Sequence, residues 1–177
     1  LKKKSLIAIV LVLISIMIYI AFVFRQLSKV LSPWAMGAAA IVALAHDVII
    51  PLGIFALLGQ FGGIEISAIY VAAVLTILGY SVSDTIVVFD RVRENIIKGI
   101  RESFGEVVHR SIMQTLTRSL NTTITVLLSL IAIYFFGGES IKYFALMLII
   151  GVFLGAYSSI FVASPLLVWF GKSKQGK

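Results

Sequence analysis

Gly79-Tyr80-Ser81-Val82-Ser83-Asp84-Thr85-Ile86-Val87-Val88-Phe89-Asp90-Arg91-Val92-Arg93-Glu94-Asn95 begins inside a long apolar run and ends in a cluster of charges. Asp84 therefore sits where a carboxylate is costly, whereas Asp90, Arg91, Arg93 and Glu94 sit where charge is cheap. An ionisable side chain at membrane depth costs roughly 2.5–3.5 kcal/mol on insertion scales, so Asp84 has to be used or at least satisfied.

The surrounding composition makes the membrane reading necessary. Of 177 residues, 60% are hydrophobic and 13% charged, with a mean hydropathy of +1.08. A water-soluble domain of this length has too little interior to hide so much apolar surface, which makes lipid the solvent and an all-α polytopic membrane protein the fold class. The chain has no cysteine, which excludes disulfides and thiolate metal sites. Its net charge of +7 fits basic residues at membrane borders rather than a nucleic-acid partner.

Five spans are expected, at about 5–24, 35–58, 66–89, 116–136 and 141–170. Pro33-Trp34 suits the first turn of the second span, the stretch from Gly59 to Glu65 a brief turn, and Gly137-Gly138-Glu139 a tight one. Residues 90–115 differ in kind. Their charges are balanced, and Ile96, Ile97, Ile100, Phe104, Val107, Val108 and Ile112 recur at helical spacing. That pattern predicts a cytoplasmic amphipathic segment of one or two helices, broken near Gly105.

With five spans, Arg25, Lys29, Arg91, Arg93, Lys98, Arg101, Arg110, Arg118, Lys172, Lys174 and Lys177 share one side, against Lys2, Lys3, Lys4 and Lys142 on the other. Positive-inside counting then places the C-terminus in the cytoplasm and the N-terminus outside. An N-out start without a signal sequence leads us to expect that residues 1–177 are a single transmembrane domain cut from a longer protein, lacking an upstream span and an exported domain.

Thr76, Tyr80 and Asp84 are spaced four apart and share a face of the third span. On the fourth, Arg118, Thr122, Thr125 and Ser129 form a comparable stripe, with Asn121 beside it. An Asp84–Arg118 pair would offset part of the desolvation of each charge. Burial and a nearby guanidinium act oppositely on a carboxylate's proton affinity, so a group held between them binds and releases protons as its surroundings change. The competing reading is a static hydrogen-bonding role for Asp84 between helices.

His46-Asp47 lies near the middle of the second span. Asp47 is either a second proton site or a group satisfying the backbone freed by Pro51, and His46, with no second His at i+3 or i+4, is a packing or hydrogen-bonding residue rather than a metal ligand. Asp90, Arg91, Arg93 and Glu94 either anchor a helix end at the interface or form a contact surface for a partner. Gly151, Gly155 and Ser159 form a seam of small residues suited to close helix packing, as Gly37, Ile41 and Ala45 do more weakly. No phosphate-binding loop, zinc spacing or nucleophile elbow is found, so neither an enzyme nor a cofactor is expected. An intramembrane aspartyl protease built on Asp47 and Asp84 lacks the Gly-x-Gly-Asp pattern, and an opposing arginine ill suits a shared-proton dyad.

The opening stretch resembles the signature of the SecF family, the smaller membrane subunits of the SecDF protein-export complex. Ala45-His46-Asp47-Val48-Ile49-Ile50, Gln114-Thr115-Leu116-Thr117-Arg118-Ser119-Leu120-Asn121-Thr122-Thr123, Phe136-Gly137-Gly138 and Tyr157-Ser158-Ser159-Ile160-Phe161-Val162-Ala163-Ser164 extend the likeness along nearly the whole chain. Ser83 departs from the asparagine usual there, which touches one neighbouring hydrogen bond and leaves the carboxylate in place.

The resemblance implies half of a pseudo-twofold transmembrane bundle of the resistance-nodulation-division type, in a bacterial or archaeal cytoplasmic membrane. It implies SecD, the SecYEG translocon, the translocating polypeptide and protons as partners, besides membrane lipid. Asp84 is then the proton-carrying carboxylate, Arg118 its charge partner and Thr122 part of the same pathway, with His46, Asp47, Tyr80 and Asn121 as secondary polar positions. A proton-driven small-molecule exporter of the same superfamily is the alternative, and a passive scaffold needs no chemistry at Asp84.

Overall fold

The computed structural model describes residues 2–26, 31–62, 68–99 and 102–175, and everything described is helical or connects helices. The elements are α1 (Lys2–Val23), α2 (Pro33–Gly62), α3 (Ala68–Ile97), α4 (Phe104–Phe136), α5 (Glu139–Ser158), a π-helical segment (Ser159–Ala163) and α6 (Ser164–Gln175). The expected connection after Arg25, the end of the Gly59–Glu65 turn, the start of the third span and the last residues of the tail lie outside the described residues.

Helices 2, 3 and 4, and the continuous run from Glu139 to Gly171, are each long and apolar enough to cross a bilayer. On α1 the apolar part, Ile7–Val23, is shorter than the other four. Its exposed residues Ile7, Leu11, Ile14, Ile18 and Phe22 lie at spacings of three and four, an apolar stripe suited to lipid contact. The fold is thus all-helical with four candidate spans, where five were expected.

The stretch 90–115 is not a segment of its own. Helix α3 has 30 residues and α4 has 33, about 45 and 50 Å of helix, against a hydrocarbon core of roughly 30 Å. Residues 90–97 are the continuation of α3 and residues 104–115 the beginning of α4, and the break falls after Ile97 instead of near Gly105. The charges stabilise these extensions locally. Arg93 pairs with Asp90 at 3.4 Å, Arg91 with Glu94 at 2.6 Å and Lys98 with Glu94 at 2.6 Å, each an i,i+3 or i,i+4 contact within one helix. Ser103 caps α4: its hydroxyl accepts from the Glu106 backbone N–H while the Glu106 carboxylate accepts from the Ser103 N–H.

Helix α5 packs against α2, α3 and α4, and α1 packs on α2. Its contact with α3 is made by absent side chains. A Cβ at Gly151 would lie 2.3 Å from Ile77 Cδ1, and one at Gly155 would lie 3.0 Å from Ser81 Cβ. The seam expected from Gly151 and Gly155 is therefore the α3–α5 contact.

Two apolar clusters form the interior. One joins Leu44, Phe55, Tyr70, Ala73, Ile77, Met147 and Val152. The other joins Phe24, Met36, Ala40, Phe89, Val92, Phe104, Ala163 and Leu167. Along α3 the first cluster ends at Leu78 and the second begins at Phe89. The interval holds Ser81, Thr85 and Asp84, and on the last span Ser158 and Ser159 fall in the matching interval. A polar layer is enclosed between two apolar ones.

Candidate functional site

Asp84 projects from α3 towards α4 and is half-buried. The Ser119 hydroxyl donates to its Oδ1, while its Oδ2 is buried without a hydrogen-bond partner among the described residues. The same face of α3 carries two further bridges. Tyr80 donates to the Thr123 hydroxyl at 3.1 Å, and the Asn95 amide donates to Ser111 at 2.8 Å and to Gln114 at 3.0 Å. On α4 the buried positions Ser111, Thr115, Ser119 and Thr123 recur every fourth residue. They are the face that meets α3.

That stripe is one residue later than the expected one. Arg118, Asn121, Thr122, Thr125 and Ser129 are exposed. The hydroxyls of Thr122, Thr125 and Ser129 turn back to carbonyls four residues earlier on their own helix, at 2.9, 2.8 and 3.1 Å. Among the described residues no ion pair is made by Asp84 or Arg118.

The two charges nevertheless share a space. A cleft of about 80 Å³ is lined by Tyr80, Ser83, Asp84, Val87, Arg118, Ser119 and Thr122, room for two or three waters at roughly 30 Å³ each. A second cleft of about 210 Å³ adjoins it through Val87 and Arg118 and is lined also by Asp90, Arg91, Glu94, Gln114 and Thr115. A polar trough thus follows the α3–α4 seam from Asp84 to the charged end of α3, with Arg118 at the junction. Asp90, Arg91, Arg93 and Glu94 pair with one another or with Lys98, and three of them line its outer part.

The second polar position is a separate node. Asp47 has no solvent exposure. Its Oδ2 accepts from Ser81 on α3 and from Ser158 on α5, the latter at 2.6 Å. Its Oδ1 lies 2.9 Å from Nδ1 of His46, whose ring stacks on Tyr157 at 6.3 Å. Among the described residues the Asp47 side chain serves neighbouring hydroxyls and His46, and makes no hydrogen bond to the backbone near Pro51. One residue beyond Ser158, the Ser159 hydroxyl pairs with Thr85 at 3.0 Å.

Of the residues singled out from the sequence, Asp84, Tyr80, Arg118 and Thr122 line one cleft, His46 and Asp47 form a separate node, and Asn121 lines neither; Ser119, Thr123, Ser81, Ser158, Ser159 and Thr85 were not singled out as polar partners. All six are hydroxyl residues inside the quoted segments, with nothing in the one-dimensional pattern to say which helix they meet. No three His, Asp or Glu side chains converge among the described residues in a way that would hold a metal. The arrangement suits proton binding: a half-buried carboxylate with one oxygen held by a hydroxyl, beside a cationic group across a water-sized cleft.

The family model described as "Protein export membrane protein SecD/SecF, C-terminal" matches residues 1–173. A protein translocase subunit SecF of Thermobaculum terrenum is 52% identical over 172 residues, covering 97% of this chain and 53% of that protein. Another, from a Synechocystis species, is 42% identical over 175 residues, covering 99% and 53%. The protein translocase subunit SecDF of Thermus thermophilus is 43% identical over 176 residues, covering 98% of this chain and 22% of its own length. A crystal structure of SecDF in a super-membrane-facing form superposes with a TM-score of 0.87 at 40% identity, over 99% of this chain and 22% of that one. The chain spans about half the length of these two SecF relatives and about a fifth of the SecDF chains.

Proposed function

Because this chain belongs to the SecD/SecF C-terminal family of protein-export membrane proteins, we propose that it is the SecF-type membrane half of a machine that couples proton movement to protein export. The observation that supports the coupling is Asp84 itself: a carboxylate inside an apolar helix, one oxygen held by Ser119, the other buried without a partner among the described residues, beside a cleft shared with Arg118.

In this reading Asp84 takes up and releases the proton. In its ionised form the carboxylate is attracted across the cleft to the Arg118 guanidinium, and in its neutral form that attraction is lost. The position of α3 relative to α4 then follows the charge. One elementary charge moving through 100 mV gains about 2.3 kcal/mol, enough to bias a two-state bundle. The chemistry is binding and release alone, with no covalent step.

The outward stripe of Arg118, Asn121, Thr122, Thr125 and Ser129 indicates where the partner lies. Polar side chains at membrane depth face protein or a water-lined cavity and not acyl chains. We assign that face of α4 to a SecD bundle, completing a pseudo-twofold assembly that acts on a polypeptide leaving the SecYEG channel. α1 supplies the fifth span, and positive-inside counting places the C-terminus in the cytoplasm. The test is secretion of a reporter protein by cells carrying Asp84→Asn in the full-length protein. Secretion should fall to the level of a deletion strain, and wild-type secretion at normal protein levels would refute the reading.

A further inference from the structure

Asp47 takes no part in the proton step just described, yet it ties together three helices of the polar layer. Ser81 and Ser158, its two hydroxyl donors, are completely buried, as are Thr85 and Ser159. Adjacent side chains on a helix point about 100° apart, so Ser158 and Ser159 reach two neighbouring helices: Ser158 meets Asp47 on α2 and Ser159 meets Thr85 on α3. The helix changes from α to π at Ser159, while Ser158 and Ser159 themselves keep ordinary α-helical dihedrals. Pro165 accounts for the change, since it lacks an N–H and its ring crowds the carbonyl of Phe161. At the end of the π segment the Ser164 hydroxyl donates to the Ser159 carbonyl at 2.8 Å.

The consequence falls on one turn of α3. Ser81 and Thr85 are four apart and share a face, so this turn is fastened to the last span at both ends, through Asp47 at Ser81 and through Ser159 at Thr85. Gly155 lets the backbones approach beneath Ser81. Asp84 stands within the fastened turn and presents its carboxylate to Ser119 on α4. We propose that Asp47 is a positioning residue for the Asp84 site: by holding Ser81 and Ser158 it fixes the 81–85 turn against the π segment, and so sets where Asp84 stands relative to Ser119 and Arg118. This rests on the reading of Asp84 as the proton-carrying group. Among the described residues, the titratable and charged groups beside the two carboxylates are Tyr80 on α3 and Arg118 on α4 in the cleft, and His46 on α2 beside Asp47 with Tyr157 of α5 stacked on it.

The experiment is proton flux across a series of pH values in vesicles holding the full-length protein assembled with its SecD partner. Asp47→Asn and Ser158→Ala should each move the pH of half-maximal flux, the first by at least about half a unit, a threefold change in apparent proton affinity, and the second by less in the same direction. A merely structural role lowers flux by one factor at every pH and leaves the midpoint unmoved, which would overturn the inference. If Asp47→Asn does not assemble, Ser158→Ala and Ser81→Ala decide it, and an unmoved midpoint in both overturns it. Asp84→Asn serves as the control. Flux that survives it removes the Asp84 reading itself, whereas flux lost in Asp84→Asn with an unmoved Asp47→Asn midpoint removes this inference alone.

Discussion

Ser119 donates to the carboxylate of Asp84 across the α3–α4 seam, while Arg118, one residue earlier, lines the same cleft and forms no ion pair among the described residues. Neighbouring residues on one helix thereby divide two tasks. Ser119 joins the two helices, and in the function proposed above Arg118 answers the charge of Asp84. Ser119→Ala should therefore cost stability. Interhelical hydrogen bonds in membrane bundles average about 0.6 kcal/mol and reach about 1.7, and thermal unfolding of the detergent-solubilised protein should show a loss in that range.

Arg118→Ala should show the opposite profile. With no ion pair to lose among the described residues, its thermal stability should stay within about 0.5 kcal/mol of wild type. Proton flux in the assembled complex should fall at least tenfold. Paired melting and flux measurements separate these effects, and a large stability loss with normal flux would make Arg118 structural.

The α3–α5 seam offers a test by volume. A methyl at Gly151 meets Ile77 Cδ1 and Cγ1 at 2.3 and 2.4 Å, and overpacking of this kind costs about 1–3 kcal/mol. Gly151→Ala should destabilise by that amount, and adding Ile77→Ala should recover part of it, so that the two changes are not additive. Equal, additive losses in unfolding experiments would contradict the contact.

Ser103 begins α4 by accepting from the Glu106 N–H. Ser103→Ala should lower stability by about 1 kcal/mol and speed hydrogen exchange of the first-turn amides of α4, while the Asp84 cleft, four turns away along the helix, keeps its proton flux. Exchange unchanged at those amides would show that the cap is not formed.

How far the sequence carried depended on the kind of signal. Hydropathy located the long helices because burial in lipid is read directly from apolar runs, and Asp84 stood out because a carboxylate there is expensive. Gly151 and Gly155 were legible as a seam because only a missing side chain permits that approach. The rotation of α4 was not legible. Ser111-Thr115-Ser119-Thr123 and Arg118-Thr122-Thr125-Ser129 are both polar stripes at helical spacing, and a hydroxyl is content either across a seam or folded back on its own carbonyl, as Thr122 is. Packing alone chooses between them. The ends of the helices were misread for a related reason: amphipathic charge over 90–115 looks the same whether it forms a separate interfacial helix or extends a span into water. The signal that a new helix starts at Phe104 was present in Ser103-x-x-Glu106, a capping box. Likewise Ser164-Pro165 after Ser158-Ser159 was the trace of the π segment, but a proline alone does not say how the helix absorbs it.

The central claim is that Asp84 carries the proton. Its most direct test is proton flux under an imposed pH gradient in vesicles containing the full-length protein and the SecD partner proposed for it, wild type against Asp84→Asn. This account predicts that Asp84→Asn conducts no more than protein-free vesicles while the complex stays assembled. Flux equal to wild type from an intact Asp84→Asn complex would contradict it.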